Sequence, residues 1–326
     1  MSAQDVAARF LASDPFARAR SYAARFRCDL AVPSYLGLGS QICYTPLVEA
    51  LARRLGRPLR LLTGPTDSAY GRHPEEELTF PIWENNPFVS EIVDAEEIDP
   101  HILEELSEEM DNYCQFGHVI ENICAPYGVR PRRLAGSLYL SAAEMQWGLA
   151  TLSHLKRPVV CLCPYGRSST PAGSPWHLDR WLELIGELSA EAGFFQTGHD
   201  DFRTKELPVF SPPTTVRQAM ALIWASDVYI GFDTGLSHIA TALAVPSAVL
   251  WDAPRKTRQK DPHRLGFNVA HMSRWAYPQN RNLVILHERH GEVLQSCIDF
   301  VRETAAGFTR RHPLAPPGRA RKRRRG

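Results

Sequence analysis

One polar turn, which begins at Asp233, constrains the fold of this chain more than any other feature. It follows an apolar run at 228–232 that predicts a strand, and it precedes a pattern at 236–243 with apolar residues at i, i+3, i+4 and i+7, which predicts a helix. Asp233 or Thr234 is the expected N-cap, and Gly235 lets the backbone come close to a ligand. Similar turns occur in every α/β protein, but open α/β folds bind phosphate-bearing ligands where a helix begins at the carboxyl end of a parallel strand.

Strand and helix patterns alternate through two halves of the chain, with a passage between the halves near 134–156. This alternation is the βαβ rhythm of parallel sheets, so we expect an α/β protein. The predicted elements of the first half are a strand at 30–35, a helix at 40–55, a strand at 59–63, a strand within 86–93 and a helix at 142–155. The predicted elements of the second half are a strand at 159–163, a helix at 177–191, a strand and turn at 193–198, a helix at 216–226, the strand, turn and helix described above, a strand at 247–251 and a helix at 291–304.

Length and composition fit a protein with two folded domains. A chain of 326 residues is long enough for two ordinary cores, and its content of 44% hydrophobic and 22% charged residues is typical of soluble globular proteins. The chain has no run of about 18 apolar residues that would predict a membrane helix. The segment 1–20 lacks the apolar core of a secretory signal, so we expect a cytoplasmic protein. The expected domains are 1–150 and 151–308, followed by a tail at 309–326.

The seven cysteines predict neither a disulfide framework nor a zinc site. They are odd in number, scattered, and without a Cys-x-x-Cys pair. Cys161 and Cys163 lie two apart in a predicted strand and would share one face, where free cysteines pack as small apolar side chains.

Charge is unevenly distributed along the chain, although the formal net charge is only +1. The stretch 75–111 is acidic, whereas the tail at 309–326 is basic, is broken by prolines and is expected to be disordered. Such a tail can hold the protein near nucleic acid or near anionic lipid headgroups at the inner face of a membrane, with about 1 kcal/mol per basic residue close to the membrane surface. A solvated tail without a role is the alternative. We expect no specific nucleic-acid partner.

The full string from Asp233 to Pro246 is more specific than the turn alone. It reads Asp-Thr-Gly-Leu-Ser-His-x-Ala-x-Ala-Leu-x-Val-Pro and resembles the signature of glycosyltransferase family 9, the heptosyltransferases that build the lipopolysaccharide inner core. The resemblance implies a GT-B fold, in which two Rossmann-like domains with parallel sheets face each other across a cleft. It further implies that a nucleotide diphospho-sugar, typically ADP-heptose, binds between the domains, and that the helix at 291–304 packs back across their junction.

The resemblance assigns donor binding to two loops of the second domain. In the family, the loop after the first strand of that domain holds the donor diphosphate with hydroxyl and basic residues, ahead of a tryptophan that corresponds to Trp176. Ser174 and Pro175 stand where a lysine is expected, and Arg167 can supply the missing charge. The chain has no Asp-x-Asp motif, so we expect no metal and no other cofactor. The implied donor-binding residues are Arg167, Ser168, Ser169, Thr170, Asp233, Thr234, Gly235, Leu236 and His238.

The loop of the first domain departs from the family at the catalytic position. Gly39 stands seven residues before Pro46, as in the glycine loop of the family, but Ser40 occupies the place of the catalytic aspartate. That aspartate serves as the general base, and a serine cannot replace it unaided at neutral pH. The implied acceptor-side residues are Gly37, Gly39 and Gln41, the implied catalytic residues are Ser40 and Asp233, and the other candidates for the base are Asp67, Glu84 and His118.

The sequence therefore predicts an inverting, metal-independent glycosyltransferase that moves a sugar from a nucleotide diphospho-sugar to a glycan, a lipid-linked acceptor or a protein. The alternative is a nucleotide-sugar-binding protein whose transfer activity is lost or weakened. It is suggested by two departures from the family, Ser40 in the loop of the first domain and the missing lysine in the phosphate loop of the second domain. A sugar-nucleotide epimerase is disfavoured, because the chain lacks an N-terminal Gly-x-Gly-x-x-Gly fingerprint.

Overall fold

The computed structural model of the chain describes residues 2–33, 37–65, 79–108, 115–165, 176–199, 203–252, 272–285 and 289–307. The helices are α1 (Ala3–Ala12), α2 (Ala17–Arg25), α3 (Leu38–Leu55), α4 (Ala95–Ile98), α5 (His101–Glu108), α6 (Val119–Cys124), α7 (Ala142–Thr151), α8 (Leu178–Leu188), α9 (Val216–Ala225), α10 (Gly235–Ala242) and α11 (His290–Ala306). The strands are β1 (Leu30–Ala31), β2 (Leu59–Thr63), β3 (Val89–Asp94), β4 (Val159–Cys163), β5 (Gly193–Gln196), β6 (Val228–Phe232), β7 (Ser247–Asp252) and β8 (Arg281–Ile285).

The first half contains a parallel sheet of three described strands in the order β1-β2-β3. Leu61 of β2 pairs with Leu30 on one side and with Ile92 on the other. Strand β1 is shorter than the predicted strand at 30–35. The Val32 N–H still donates to the Leu62 carbonyl at 2.8 Å, but Pro33 has no N–H with which to continue the ladder.

The second half contains a parallel sheet of five strands in the order β5-β4-β6-β7-β8. If the five strands are numbered along the chain, their order in the sheet is 2-1-3-4-5, which is a doubly wound order. Strand β5 lies on one side of β4, whereas β6, β7 and β8 follow one another on the other side. The ends of these two strands lie side by side, since Cys163 pairs with Gly231. Ligands of open α/β sheets bind in the crevice outside the carboxyl ends of the strands at such a switch point.

The alternation of residues along β4 confirms the predicted placement of its cysteines. Cys161 and Cys163 pack into the core on one face of the sheet, whereas Val160 and Leu162 pack into the core on the other face. Burial raises the pKa of the Cys163 thiol to about 11 and the pKa of the Cys161 thiol well above its usual value. Both thiols are therefore protonated packing groups near neutral pH.

The helices α8 and α11 of the second half each pack through one buried face. In α8, the inner face follows residues 181, 184, 185 and 188, so Leu184 is fully buried whereas Leu182 is 37% exposed. The buried face of α11 packs in the core of the second sheet, with contacts to α8 and β8. Among the described residues, the implied packing of this helix across the junction of the halves is therefore wrong.

The two halves share one continuous hydrophobic core, to which α3, α7, α9 and α10 contribute. Within it, the buried guanidinium of Arg217 on α9 forms two hydrogen bonds with the carboxylate of Glu144 on α7, at 2.6 and 2.7 Å. Arg217 also donates to the carbonyls of Pro81 and Tyr139, at 3.1 and 2.8 Å. A fully hydrogen-bonded arginine thus fixes the position of α9 against the first half. Of the described helices, none combines the length and the apolar character that crossing a membrane requires.

Candidate donor-binding site

The turn after β6 has the predicted geometry. Thr234 is extended, with φ −149° and ψ 173°, and is the N-cap of α10. The Ser237 hydroxyl closes the cap, because it accepts the Thr234 N–H at 3.1 Å and donates to the Thr234 carbonyl at 2.7 Å. Leu236 and Ile239 are buried and hold the helix on the sheet. The partial positive charge at the start of α10 therefore lies at the carboxyl end of β6, beside the switch point.

Two buried side chains connect this cap to the ends of β4 and β6. The Thr234 hydroxyl lies 3.5 Å from the Tyr229 hydroxyl and 3.5 Å from the Cys163 thiol. The Cys163 thiol also lies 3.2 Å from the carbonyl of Tyr165, where the loop after β4 begins. The Thr234 side chain thus points into the protein and stabilises the turn, so a ligand at this turn would meet the backbone of α10.

Helix α3 of the first half packs its N-terminal turn against α10. A Cβ atom placed on Gly39 would lie 2.3 Å from Cδ2 and 2.7 Å from Nε2 of His238, far closer than van der Waals contact allows. A Cβ atom on Gly235 would lie 3.0 Å from the Cβ of Leu38. Glycine at both positions lets the two helix N-termini approach each other, and the predicted donor turn meets the predicted acceptor-side segment.

The acceptor-side segment is helical where the sequence predicted a loop. Helix α3 begins at Leu38, two residues before the predicted start, so Gly39, Ser40 and Gln41 lie in its first turn. The Ser40 N–H donates to the carbonyl of the N-cap residue Gly37 at 2.9 Å, and Ser40 is half-buried. Gln41 is fully buried, so a direct contact of its side chain with an acceptor is disfavoured.

His238 is the centre of a buried cluster that the sequence did not predict. Its Nδ1 lies 2.5 Å from the Tyr277 hydroxyl, and that hydroxyl lies 3.4 Å from the Cys43 thiol of α3. Its Nε2 lies 3.6 Å from Oδ1 of Asp233. The ring also packs edge-on against Trp275, with 5.8 Å between ring centroids. His238 therefore contacts Tyr277 and Trp275, and Asp233 and Cys43 lie close to its ring.

His118, one of the candidates for the base, borders the same cluster. Its ring centroid lies 5.2 Å from that of Tyr277, and its Nδ1 accepts the Ile120 N–H at 3.2 Å as the cap of α6. Burial, aided by the positive charge that His238 can carry, lowers the pKa of His118 to about 4, although the backbone of Trp275 opposes the shift. His118 is thus neutral near pH 7 and is a weak base.

Several predicted site residues fall outside the described part of the chain. These are Arg167, Ser168, Ser169 and Thr170, as well as Asp67 and the tail at 309–326. The residues that flank the predicted phosphate loop are described: Tyr165 is buried, and Trp176 is fully buried against Trp181, with 4.7 Å between ring centroids. Glu84 is exposed.

Within the described residues, no group of three or more His, Cys, Asp and Glu side chains is placed to hold a metal ion. Metal-independent chemistry remains a prediction. Sequence reasoning missed Cys43, Trp275 and Tyr277 as neighbours of the site. The available signal was the pair of aromatic residues, two apart in a polar stretch just before β8.

Solved structures with a similar fold include three heptosyltransferases or related enzymes of E. coli. ADP-heptose LPS heptosyltransferase II is 16% identical with a TM-score of 0.57, and the match covers 85% of this chain and 98% of that chain. The heptosyltransferase WaaC with ADP-2-deoxy-2-fluoro heptose is 13% identical with a TM-score of 0.50, over 84% of this chain and 99% of that chain. The iron-containing dodecameric glycosyltransferase TibC, from an enterotoxigenic strain, is 14% identical with a TM-score of 0.50, and the match covers 87% of this chain and 79% of that chain.

The similarity of this chain to these three structures is a similarity of fold. It confirms the predicted GT-B architecture with its parallel sheets. No curated protein matches the chain in sequence. The family model for glycosyltransferase family 9 (heptosyltransferase) matches residues 125–287, which is half of the chain and includes the turn at 233–238. The chain accordingly belongs to glycosyltransferase family 9, the heptosyltransferase family.

Proposed function

We propose that this protein transfers a sugar from a nucleoside-diphosphate sugar of the ADP-heptose type to a hydroxyl group of a glycan, a lipid-linked acceptor or a protein, with inversion at the anomeric carbon. The observation that carries the proposal is the meeting of two helix N-termini, α10 at the switch point of the second sheet and α3 from the first half, through Gly39 and His238. A site built from both halves can hold a donor on one side and an acceptor on the other.

In this proposal the donor diphosphate binds at the N-terminus of α10. The backbone of Gly235 and Leu236 and the partial positive charge of the helix favour an anion there. Asp233, whose side chain is 20% exposed, orients a hydroxyl group of the sugar, and His238 lies behind it. Thr234 holds the turn in place from inside the protein. Arg167, Ser168, Ser169 and Thr170 are the proposed contacts on the other side of the diphosphate.

The proposed acceptor side is the first turn of α3, with Gly37, Gly39 and Ser40. When the bond between the sugar and the diphosphate breaks, negative charge develops on the leaving phosphate oxygen, and fixed donors aimed at that oxygen stabilise the transition state. The N-terminus of α10 and Arg167 can supply this stabilisation without a metal ion. The proposed domains are 1–150 for the acceptor side and 151–308 for the donor side.

The second candidate function is a nucleotide-sugar-binding protein with lost or weakened transfer activity. It is favoured by Ser40, which stands where the family has its catalytic aspartate. Thermal unfolding with a panel of nucleotide sugars, followed by measurement of nucleoside-diphosphate release with candidate acceptors, separates the two functions. Transfer predicts both stabilisation and release, whereas stabilisation without release from any acceptor supports the binding protein.

Variants connect these measurements to the site. Asp233→Ala and His238→Ala are expected to weaken nucleotide-sugar binding. Asp299→Ala is the matched control, since this half-buried carboxylate of α11 accepts a hydrogen bond from Gln295 of the same helix and has no part in the proposed site. Unchanged affinity in both site variants would remove the assignment of this turn to the donor. Ser40→Asp restores the residue of the family, so a gain in turnover would indicate a weakened transferase.

We further propose that the protein acts in the cytoplasm and that the basic tail at 309–326 brings it to the inner face of the membrane. Sedimentation with anionic and with neutral lipid vesicles tests this point. Binding to anionic vesicles that is lost at high salt and on deletion of the tail supports it. Equal sedimentation of the full chain and the deletion variant contradicts it.

A further inference from the structure

A group of exposed arginines on the first half of the protein has too few carboxylates to balance its charge. Two of them lie in the last turn of α3 and three lie in the segment between α6 and α7. Among the described residues, Glu49 of α3 is the one carboxylate within ion-pair distance of this group. We call the group the arginine surface, and its members are Arg53, Arg54, Arg130, Arg132 and Arg133.

Contacts between α3 and the segment after α6 bring these arginines together. Glu49 lies 3.0 Å from Arg53 and 3.6 Å from Arg132, so two guanidinium groups share one carboxylate. The same carboxylate accepts the Ser137 hydroxyl at 3.2 Å. The Glu49 side chain is only 15% exposed, whereas that of Arg132 is 72% exposed. Positive charge, rather than the carboxylate, therefore faces solvent. The shallow groove between the helix and the segment is lined by Pro46, Glu49, Ala50, Arg132, Arg133, Ala135 and Ser137.

Two of the arginines also support the fold, but these contacts leave their charge in place. Arg54 donates to the Tyr127 carbonyl at 2.7 Å. Arg133 donates to the carbonyls of Gly136 and Ala242 at 2.8 and 2.9 Å. A carbonyl oxygen has no formal charge, so these hydrogen bonds fix the side chains without neutralising them. The dipole of α3 favours cations at its C-terminus, which accounts for the arginines of its last turn and not for those of the segment after α6.

Exposed arginines of the second half are balanced one by one. Arg302 forms two hydrogen bonds with Glu191, at 3.1 and 2.7 Å. The other pairs of this kind are Arg180 with Glu183, Arg281 with Glu303 and Arg289 with Glu292. Because the whole chain has a formal net charge of only +1, the excess of positive charge is a local property of the arginine surface.

The end of α3 adds an exposed apolar side chain to these charges. Leu55 is 49% exposed and directly follows Arg53 and Arg54. An apolar side chain beside basic residues suits the boundary between lipid headgroups and acyl chains, where apolar burial and attraction to anionic lipid act together. A nucleic-acid backbone would use the arginines and leave the leucine in water, so the combination favours a lipid surface.

We propose that the arginine surface docks the first half of the protein on an anionic lipid surface, with its guanidinium groups on the headgroup phosphates and Leu55 at the acyl boundary. Arginine binds phosphate through several donors, which suits it to this contact. The contact is separate from the one proposed for the tail at 309–326: the tail is a tether, whereas the arginine surface belongs to the folded part and sets the orientation. Stable peripheral binding commonly takes two such signals.

Helix α3 connects this surface to the proposed acceptor side of the site. At 1.5 Å per residue, its length between Gly39 and Arg53 is about 20 Å. Docking would therefore hold the first turn of α3 no more than about 20 Å from the end of the helix that meets the headgroups. A lipid-linked acceptor could then present its glycan to the site while its lipid stays in the membrane. This last step rests on the proposed function, but the docking itself does not.

Sedimentation of the full-length protein with vesicles tests the docking. The vesicles contain equal parts of phosphatidylglycerol and phosphatidylcholine. The surface variant replaces three arginines of the arginine surface by glutamine: Arg54→Gln, Arg130→Gln and Arg132→Gln. The matched control removes the same charge from the second half: Arg180→Gln, Arg289→Gln and Arg302→Gln. Partitioning of the surface variant should be at least about tenfold weaker than that of the control, because each basic residue close to an anionic surface contributes about fivefold.

Two further variants separate docking from a damaged fold. The same three arginines replaced by lysine keep their charge, so this variant should bind within about threefold of the wild type. Equal losses in the lysine and glutamine variants would overturn the electrostatic docking. Leu55→Trp places a reporter at the end of α3, and brominated acyl chains should quench the emission that it adds to the wild-type spectrum. Absence of quenching in bound protein would contradict the proposed orientation.

Other occupants of the surface give different results. Equal partitioning of the surface variant and the control would leave the tail as the membrane contact and overturn the inference. Weaker binding of an RNA duplex by the surface variant, with unchanged vesicle binding, would assign the surface to nucleic acid. A dimer at low salt that only the surface variant loses, again with unchanged vesicle binding, would assign it to a second copy of the chain. None of these measurements needs turnover, so they decide the docking whether or not the transfer reaction is found.

Discussion

Gly39→Ala is expected to disrupt the contact between the two halves of the site. The added Cβ would lie 2.3 Å from Cδ2 of His238, more than 1 Å inside the ordinary contact distance of 3.4–4 Å. His238 cannot move aside freely, because Tyr277 holds its Nδ1 at 2.5 Å and Trp275 packs on its ring. The methyl group and the ring must therefore separate by displacement of α3 from α10 or by loss of the Tyr277 hydrogen bond.

The expected cost follows from these terms. Overpacking costs about 1–3 kcal/mol, loss of a hydrogen bond costs about 1 kcal/mol, and the higher helix propensity of alanine returns about 1 kcal/mol. The free energy of unfolding of Gly39→Ala should fall by about 1–3 kcal/mol in urea titration followed by circular dichroism. Affinity for ADP, measured by calorimetry, should fall as well, because displacement of α3 against α10 disturbs the helix N-terminus at which the diphosphate is proposed to bind.

A matched glycine controls for the helix propensity term. Gly186 lies inside α8, and a Cβ placed there meets nothing within 4 Å. Gly186→Ala should therefore raise the free energy of unfolding by about 0.5–1 kcal/mol and leave ADP affinity unchanged. The reasoning is refuted if Gly39→Ala is as stable as Gly186→Ala and binds ADP as the wild type does.

Three further perturbations test other parts of the structure. Arg217→Met should lower the free energy of unfolding by about 3 kcal/mol, because it leaves the Glu144 carboxylate without its partner; an unchanged urea midpoint would contradict this. The free energy of unfolding should fall as the pH drops from about 6.5 toward 4, because His118 takes up a proton in the unfolded chain that its buried ring resists in the folded protein. His118 contributes at most about 1.4 kcal/mol per pH unit to this fall. His118→Asn should reduce the slope, and an identical slope would refute the assignment. Among the described cysteines, iodoacetamide at pH 8 should modify the half-buried Cys28 well before Cys161, Cys163 and Cys297, as followed by mass spectrometry, and prior modification of Cys163 would contradict the packing of β4.

The sequence predicted most of the elements that form the two sheets. Strands β2, β4 and β6 have the predicted bounds. β4 and β6 are apolar runs that are buried on both faces, and β2 is buried except for the half-buried Arg60. The turn after β6 was also predicted, since its capping residues and its apolar helical pattern are local signals. The GT-B architecture came from resemblance, because local patterns do not reveal which strands of a sheet are neighbours.

The missed features depend on contacts between distant parts of the chain. Helix α2 packs through small residues such as Ala19 and Ala23, which give no strong apolar pattern. The bond between His238 and Tyr277 joins residues 39 positions apart, and Cys43 is a further 195 positions from His238. Gly39 was predicted as a site residue from its spacing to Pro46. The structure shows that glycine is needed there because the ring of His238, from the other half, leaves no room for a Cβ atom. A sequence pattern identifies such residues without identifying their partners.

A crystal structure of the protein with ADP tests the central claim most directly. The account predicts that the diphosphate lies within hydrogen-bond distance of the backbone N–H groups of Gly235 and Leu236, at the start of α10 and beside the first turn of α3. Binding of ADP at another place, or no binding at millimolar ADP, would contradict the assignment of this turn as the donor site.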